Sequence, residues 1–259
     1  KKPRLQESAT SSRPEMAEST AALASFADPT RPAPKKPRLH YFEGWGLAEQ
    51  ARWMLAATGV KWDQTALTQS AEFLALRDQG KHLAYGQLPL LEIDGLKLVQ
   101  SQAIVRYVAN RGGLMGSSPA DTAIVDMFCE AIKDVRGVIV GYPFAQDKRG
   151  HVASIPQRIW KYMPMFEATL GQHDGGARPG LLASGLCAAD VLLAELIEDV
   201  SPIFPNVTQG FPMCKAVHAY VISLPSIKEY LASDLRFPFP AEGPIAEKYC
   251  ANVGLVLGW

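Results

Sequence analysis

The sequence GQLPLLEIDGLKLVQSQAIVRYVAN, which occupies residues 86–110, decides the fold of this chain. Two apolar runs within it, Pro89–Ile93 and Leu96–Gln100, flank the dipeptide Asp94-Gly95, which is a strong signal for a two-residue hairpin turn. Ser101–Asn110 then places apolar side chains at helical spacing, and two glycines soon follow. The stretch predicts a β-hairpin that runs directly into a helix.

The residues before this stretch add two further pairs of strand and helix. Alternation in Leu39–Phe42 indicates a short strand, and Gly44 and Gly46 end it. The next segments predict a helix, a second strand and a shorter helix, at Leu47–Thr58, Val60–Leu67 and Ser70–Gln79. The order of elements is that of a small α/β layer with a mixed sheet.

The strand signals stop after a short linker at Leu114–Pro119. Four later segments have the length and spacing of helices: Ala120–Val140, Pro156–Gln172, Ala188–Phe204 and Pro212–Leu231. A last amphipathic stretch, Ile245–Leu257, follows a proline-rich connector. We therefore expect an α/β domain over residues 35–115 and an all-helical domain over residues 116–259.

Residues 1–34 differ in composition from the rest of the chain. They are rich in Ser, Ala and Pro and carry too little apolar surface to fold alone, so we expect an extended, low-complexity arm. The string KKPRL occurs at Lys1–Leu5 and again at Lys35–Leu39, by chance or by duplication. A basic cluster of this kind can act as a nuclear address, but a solvated linker is the better interpretation.

Composition narrows the class of protein. The 26 basic residues balance the 26 acidic ones, which argues against nucleic acid or an anionic membrane as a partner. No apolar run approaches the roughly 20 residues of a membrane span. The four cysteines form no CxxC pair and no histidine stands at metal spacing, so we expect reduced thiols and no metal. The expected compartment is the cytoplasm, with an organelle as the alternative.

Three positions are candidates for chemistry. If the Leu88–Pro89 bond is cis, the backbone of Leu88 turns outward to pair with an extended peptide; the alternative is a trans proline that opens a strand, since only about 5% of X-Pro bonds are cis. Ser101 is expected to cap its helix and, with the free N–H groups there, to attract a carboxylate. Tyr41 ends a strand and could donate to a thiolate, or be a half-buried strand tyrosine.

Three strings together resemble the cytosolic glutathione S-transferase family, particularly its alpha class with mu, pi and sigma features: RLHYFEGWGLAEQARWMLAATGV, GQLPLLEIDGLKLVQSQAIVRYVAN and IVDMFCEAIKDV. The second string is the most specific, because the proline, the hairpin, the Gln-Ser pair and the helix come in family order and spacing. The resemblance covers Lys36 to about Leu231. It implies a thioredoxin-like N-terminal domain followed by an all-helical C-terminal domain.

The resemblance also implies a site for glutathione as co-substrate. Tyr41 is then the catalytic residue, whose hydroxyl favours the thiolate of glutathione. The implied binding residues are Leu88, which pairs with the cysteinyl part, Gln100 and Ser101, which hold the γ-glutamyl end, Asp134 of the partner subunit, which meets the ammonium group, and Gln87 and Arg77, which contact the rest of the peptide.

A second substrate, a small hydrophobic electrophile, is implied between Phe42, the Tyr142-Pro143-Phe144 corner and the last helix around Val253 and Leu257. Tyr85 stands where the family has an aromatic key residue, which implies a homodimer.

The chain departs from the alpha-class pattern in the loop after Tyr41. Trp45 and Leu47 stand where that class has two arginines, so a cation is lost and bulk is added beside the site. The capping box of the helical domain reads Cys187-Ala-Ala-Asp190, which predicts a weaker cap. The main hypothesis is an enzyme of detoxification in which the bound thiolate attacks an electrophile or a peroxide. The alternative is a non-catalytic docking module in a larger assembly, which the 1–34 arm contacts.

Overall fold

The computed structural model describes residues 36–79, 82–172, 178–240 and 242–258. The arm expected at residues 1–34 lies outside the described residues. Everything from Lys36 onward belongs to one structural unit.

A four-stranded sheet forms the first half of this unit. Its strands are β1 (Arg38–Phe42), β2 (Asp63–Leu67), β3 (Leu90–Ile93) and β4 (Leu96–Val99), in the order β2-β1-β3-β4. β1 is parallel to β2 and antiparallel to β3, and β3 is antiparallel to β4. Asp94 and Gly95 both have positive φ, as the tight β3–β4 turn requires. The mixed sheet and its hairpin are as predicted.

Three helices accompany the sheet: α1 (Glu49–Ala57), α2 (Ser70–Leu74) and α3 (Ser101–Arg111). A wider turn, Ala75–Gln79, continues α2. α1 is buried along nearly its whole length, because it packs against α3 on one side and against helices of the second half on the other. The loop that precedes α1 is therefore held between the two halves of the protein.

The second half of the described chain consists of six helices: α4 (Pro119–Val140), α5 (Lys148–Gln172), α6 (Ala188–Val200), α7 (Pro212–Ser223), α8 (Pro225–Leu231) and α9 (Pro244–Leu257). A short turn, Tyr142–Phe144, joins α4 to α5. The fold is thus a thioredoxin-like layer followed by an all-helical part, as the sequence predicted. No described helix has the length and apolarity needed to cross a membrane.

Two helix boundaries differ from the prediction. α5 was predicted to begin at Pro156 but begins at Lys148, where the carboxylate of Asp147 accepts the Gly150 N–H at 3.0 Å. Pro156 then lies within the helix. The predicted helix Pro212–Leu231 is instead two helices, since Leu224, the residue before a proline, adopts an extended conformation with ψ 134°.

The start of α6 has the two contacts of a capping box, with a thiol in place of the usual hydroxyl. Asp190 accepts the Cys187 N–H at 3.0 Å, and the Cys187 thiol faces the backbone N–H of the first turn. Because a thiol is a weak acceptor, the weakened cap stays a prediction. Asp190 also accepts the Leu181 N–H at 2.7 Å, which joins the preceding loop to the helix.

Candidate active site

Tyr41 lies at the end of β1 with its hydroxyl enclosed by the following loop. The side chain is 3% exposed, and its Oη accepts the Leu47 N–H at 2.8 Å. Gly46 has φ +45°, and a Cβ built there would collide with the hydroxyls of Tyr41 and Tyr249. The loop can pass this close to the two phenols only because residue 46 is glycine.

Tyr249, on α9, places its hydroxyl beside the same part of the loop, because the Cβ built on Gly46 would meet the hydroxyls of both tyrosines. Burial raises the pKa of Tyr41, while the Leu47 N–H and the Tyr249 hydroxyl act in the opposite direction. Burial also raises the pKa of Tyr249. Both phenols therefore keep their protons at neutral pH. A phenol oxygen can accept two hydrogen bonds and donate one. The Leu47 N–H occupies one acceptor position of Tyr41, and the phenol keeps its own proton to donate.

Arg52, on α1, hydrogen-bonds to the backbone of the first part of the loop. It is 0% exposed, and its guanidinium donates to the carbonyl oxygens of Gly44 at 3.0 Å and Trp45 at 3.2 Å. The charge is paired with Glu49 at 2.9 Å, as a buried charge requires. The backbone of the loop is thus fixed by a residue of the helix that it leads into.

Arg136, on α4, hydrogen-bonds to the next part of the loop, at Gly46. Its Nη2 donates to the Gly46 carbonyl oxygen at 3.0 Å, and its Nε donates to Glu195 at 2.9 Å. The side chain is 3% exposed. A residue of the helical half therefore contacts the loop that encloses Tyr41.

Trp45 is buried between the two halves. Its indole N–H donates to Asp199 at 2.8 Å, and the Arg136 guanidinium lies 4.4 Å from its ring centroid. Burial raises the pKa of Asp199 well above its ordinary value, with the nearby Glu195 acting in the same direction. The indole is thus fixed by residues of the helical half.

The residues expected to bind the peptide cluster at the start of α3. Gln100 donates to Gln87 at 3.3 Å, and Gln100 has φ +72°, a conformation that non-glycine residues rarely adopt. Leu88 is 8% exposed, and its bond to Pro89 is cis. Gln100 is the N-cap and Ser101 the first helical residue, so the expectation that Ser101 is the cap was wrong by one position. At this position the Ser101 N–H is one of the free donors of the helix end.

The remaining predicted residues lie at the surface. Arg77 pairs with its neighbour Asp78 at 2.6 Å, and a Cβ on Gly86 would be 3.8 Å from the Arg77 Cδ, which places Arg77 beside the segment that leads to Gln87. Asp134 accepts the hydroxyl of Tyr162 at 2.8 Å. Tyr85 is 71% exposed, the most exposed of the large apolar side chains.

α9 is joined to the α/β half near Tyr41. Asn252 accepts the Glu43 N–H at 2.8 Å and donates to the Leu67 carbonyl oxygen at 2.9 Å. Phe144, in the turn after α4, packs against Tyr249 with a centroid distance of 5.5 Å. Phe42 and Val253, two of the residues expected around the second substrate, are buried, at 8% and 4% exposure.

A mostly apolar cavity of about 220 Å³ lies on the neighbouring side of the loop. The residues that line it include Gly44, Trp45, Phe237 and Tyr249, and the ion pair of Lys248 with Glu43, at 2.7 Å, belongs to the same lining. Among the described residues, no cluster of His, Cys, Asp and Glu could hold a metal ion.

Two family models match the chain. The model described as "Glutathione S-transferase, N-terminal domain" matches residues 37–110, and the model described as "Glutathione S-transferase, C-terminal domain" matches residues 133–234. Glutathione S-transferase A3 of Mus musculus is 37% identical over 208 residues, which cover 79% of this chain and 92% of that protein. This chain belongs to the glutathione S-transferase family.

Other members of the glutathione S-transferase family also match the chain. Glutathione S-transferase alpha I of Oryctolagus cuniculus is 37% identical over 200 residues, which cover 76% of this chain and 88% of that protein. The crystal structure of monomeric Na-GST-3, a glutathione S-transferase of Necator americanus, matches with a TM-score of 0.66 and 29% identity, over 76% of this chain and 96% of that chain.

Within this glutathione S-transferase fold, sequence reasoning missed Tyr249, Arg52 and Arg136. One signal was available for Arg136, since it lies on the buried stripe of α4 with Ile132 and Ile139. A charged residue on an apolar stripe must have a buried partner. No comparable signal marked Tyr249, whose position depends on where α9 packs.

Proposed function

We propose that this protein is a glutathione transferase in which the thiolate of bound glutathione attacks a small hydrophobic electrophile or an organic peroxide. One observation carries the proposal: the buried Tyr41 hydroxyl accepts the Leu47 N–H and keeps its own proton to donate, because burial raises its pKa. A sulfur atom placed at that proton gains a hydrogen bond that favours the charged form.

The required change in the thiol is moderate. A free cysteine thiol has a pKa of about 8.5. To lower that pKa by about two units, the site must stabilise the thiolate relative to the thiol by about 2.7 kcal/mol. A charge-assisted hydrogen bond in an enclosed site contributes on the order of 1.5–3 kcal/mol. One donor of this kind therefore supplies most of what ionisation at neutral pH requires.

Three of the protein's four cysteine thiols are poor candidates for the nucleophile. Burial raises the pKa of Cys129 to about 12 and raises those of Cys187 and Cys214 further. A thiol with so high a pKa carries almost no thiolate at neutral pH. This favours a nucleophile supplied by a ligand.

The peptide part of glutathione fits the surface beside Tyr41. The γ-glutamyl carboxylate would meet the Ser101 hydroxyl and the free N–H groups of α3, since a helix N-terminus attracts anions. The backbone of Leu88 would pair with the cysteinyl unit. Gln87 and Gln100, which already contact each other, and the Arg77 guanidinium would contact the remaining polar groups.

A homodimer would complete this site. Tyr85 is 71% exposed. Burial of this apolar surface in a partner subunit would be favourable. Asp134 of the partner subunit would then pair with the ligand's ammonium group. Because one similar structure is of a monomeric protein, sedimentation of this protein is the direct measurement.

For the second substrate we propose the apolar cavity beside Trp45 and Tyr249. Its volume of about 220 Å³ suits a small electrophile rather than a drug-sized one. In the conjugation reaction the sulfur forms a bond to the electrophilic carbon, and the leaving group or the adjacent atom takes the electron pair.

Titration calorimetry with glutathione and a conjugation assay with an aromatic halide test the proposal together. We expect a saturable heat and a rate that depends on pH as a thiol ionises. The absence of both would refute the assignment, whereas binding without conjugation would leave a glutathione-binding protein that is not a transferase.

A further inference from the structure

The peptide unit between Gly46 and Leu47 is held at both of its polar atoms. Its carbonyl oxygen, on Gly46, accepts Arg136 Nη2 at 3.0 Å. Its N–H, on Leu47, donates to Tyr41 Oη at 2.8 Å. A guanidinium and a phenol are therefore connected through one rigid, planar amide.

We propose that Arg136 is a positioning residue for Tyr41, which acts through the Gly46–Leu47 peptide to orient the phenol and strengthen its hydrogen bond to the ligand sulfur. Hydrogen bonds in a chain polarise one another, and a charged donor at one end has the largest effect. With its carbonyl oxygen bound to a cation, the amide is a stronger N–H donor. Tyr41 then becomes a stronger donor in turn. The inference rests on the proposed transferase function.

The guanidinium of Arg136 is held on its other side by carboxylates of α6. Glu195 is its closest partner, at 2.8 Å, whereas Asp199 is 3.6 Å away and its pKa is raised by burial. Its Nη1 has no hydrogen-bond partner among the described residues and is shielded from solvent. The other titratable groups that face this region are Glu49, Arg52, Tyr41 and Tyr249.

This arrangement replaces the cations that the alpha-class pattern has in the loop. Trp45 and Leu47 carry no charge, and the Leu47 side chain is 41% exposed, so only the backbone of the loop acts on Tyr41. The charge instead reaches the loop from α4, behind the amide. A residue of the helical half thus affects the chemistry in the α/β half.

The test compares Arg136→Met and Arg136→Lys with the wild type. The ionisation of bound glutathione is followed by thiolate absorbance and by the pH profile of kcat/KM. For Arg136→Met we expect the apparent pKa of the thiol to rise by about one unit, from about 6.5 to about 7.5, which is about a threefold loss of thiolate at about pH 7, with a change of no more than about threefold in glutathione affinity. Arg136→Lys keeps the charge but loses the planar guanidinium group, so its thiol pKa should lie between those of the wild type and Arg136→Met.

Two further variants make the outcome decisive. Arg136→Met leaves Glu195 buried without its partner, so the double variant with Glu195→Gln removes that cost if the single variant unfolds. Arg106→Met is the matched control, because Arg106 also pairs with two acidic residues, Asp126 and Glu130, but lies on α3. It should leave the pH profile unchanged.

A second readout needs no glutathione. In the ligand-free protein, the amide proton resonance of Leu47 should move upfield in Arg136→Met, because the amide becomes a weaker donor, and should stay in place in Arg106→Met. A wild type that binds no glutathione would refute the proposed function but not this step. Superimposable pH profiles and an unmoved Leu47 resonance in folded Arg136 variants would refute the inference.

Discussion

The Nη2 nitrogen of Arg136 lies 3.0 Å from the carbonyl oxygen of Gly46, although 90 residues separate the two in the chain. The contact crosses from the helical half to the α/β half and ends at the loop that encloses Tyr41. Because the loop is held in this way, the geometry at the Tyr41 hydroxyl depends on how the two halves pack. Substitutions in that interface should therefore affect chemistry as well as stability.

Tyr41→Phe tests the role of the phenol. We expect turnover at about pH 7 to fall by about 25-fold, the loss of thiolate when the thiol pKa rises by about two units from about 6.5, with a change of only a few fold in glutathione affinity, because the peptide contacts remain. The pH profile of kcat/KM should shift upward. Tyr220→Phe, on α7, is the control for loss of a hydroxyl. An unchanged pH profile in Tyr41→Phe would exclude this residue from the mechanism.

Ser101→Ala tests where the γ-glutamyl group binds. Loss of a hydrogen bond to a charged group should weaken glutathione binding by about 1–3 kcal/mol in titration calorimetry. Ser223→Ala removes a hydroxyl that donates to the Tyr220 carbonyl oxygen, far along the chain at the end of α7, and should bind as the wild type does. Equal affinity of Ser101→Ala and wild type would place the ligand elsewhere.

Replacing the loop residues by arginine separates their roles. At position 45 an arginine would be buried beside Arg136 and would lose the bond to Asp199, so we expect Trp45→Arg to lower the free energy of unfolding by about 3–5 kcal/mol. At position 47 the side chain is exposed, so Leu47→Arg should fold normally and lower the pKa of the bound thiol. Denaturant unfolding and thiolate titration measure the two effects. A Trp45→Arg variant as stable as the wild type would contradict the inward orientation of Trp45.

Acid should weaken the packing of α6 against α7 through Glu198. The hydrogen bond from His218 at 3.1 Å, with Arg236 nearby, lowers the pKa of the Glu198 carboxyl. A group whose pKa is lower in the folded state stabilises the fold above its unfolded pKa of about 4.3, and that stabilisation is lost as the pH falls through the folded value. The difference in unfolding free energy between wild type and Glu198→Gln should therefore be largest near pH 6 and shrink toward pH 3.

The control for this experiment is Glu229→Gln, since Glu229 pairs with Lys61 at the surface and exposed pairs contribute little. A difference between wild type and Glu198→Gln that stays constant from pH 6 to pH 3 would show that the carboxyl is not stabilised in the folded state.

The parts of the structure that local sequence determines were predictable. Asp94-Gly95 specifies its turn by backbone conformation alone, and the register of the hairpin follows from it. The orientation of Trp45 was not predictable, because its partner Asp199 is 154 residues away. The same holds for Tyr249. Pro156 misled for a different reason: a local preference for the first turn of a helix does not prevent a proline from lying further inside one.

The two hydrogen bonds of Asn252 have a consequence for the order of folding. They join α9 to the backbone of Glu43 and Leu67, across separations of 209 and 185 residues. Contacts between residues so distant in the chain require long loops to close and form slowly. The sheet can pair its strands before this happens, but the loop around Tyr41 obtains its last partners only when α9 docks. An intermediate without α9 would thus have a thioredoxin-like sheet and no competent site, and the gain of activity during refolding should lag behind the gain of secondary structure.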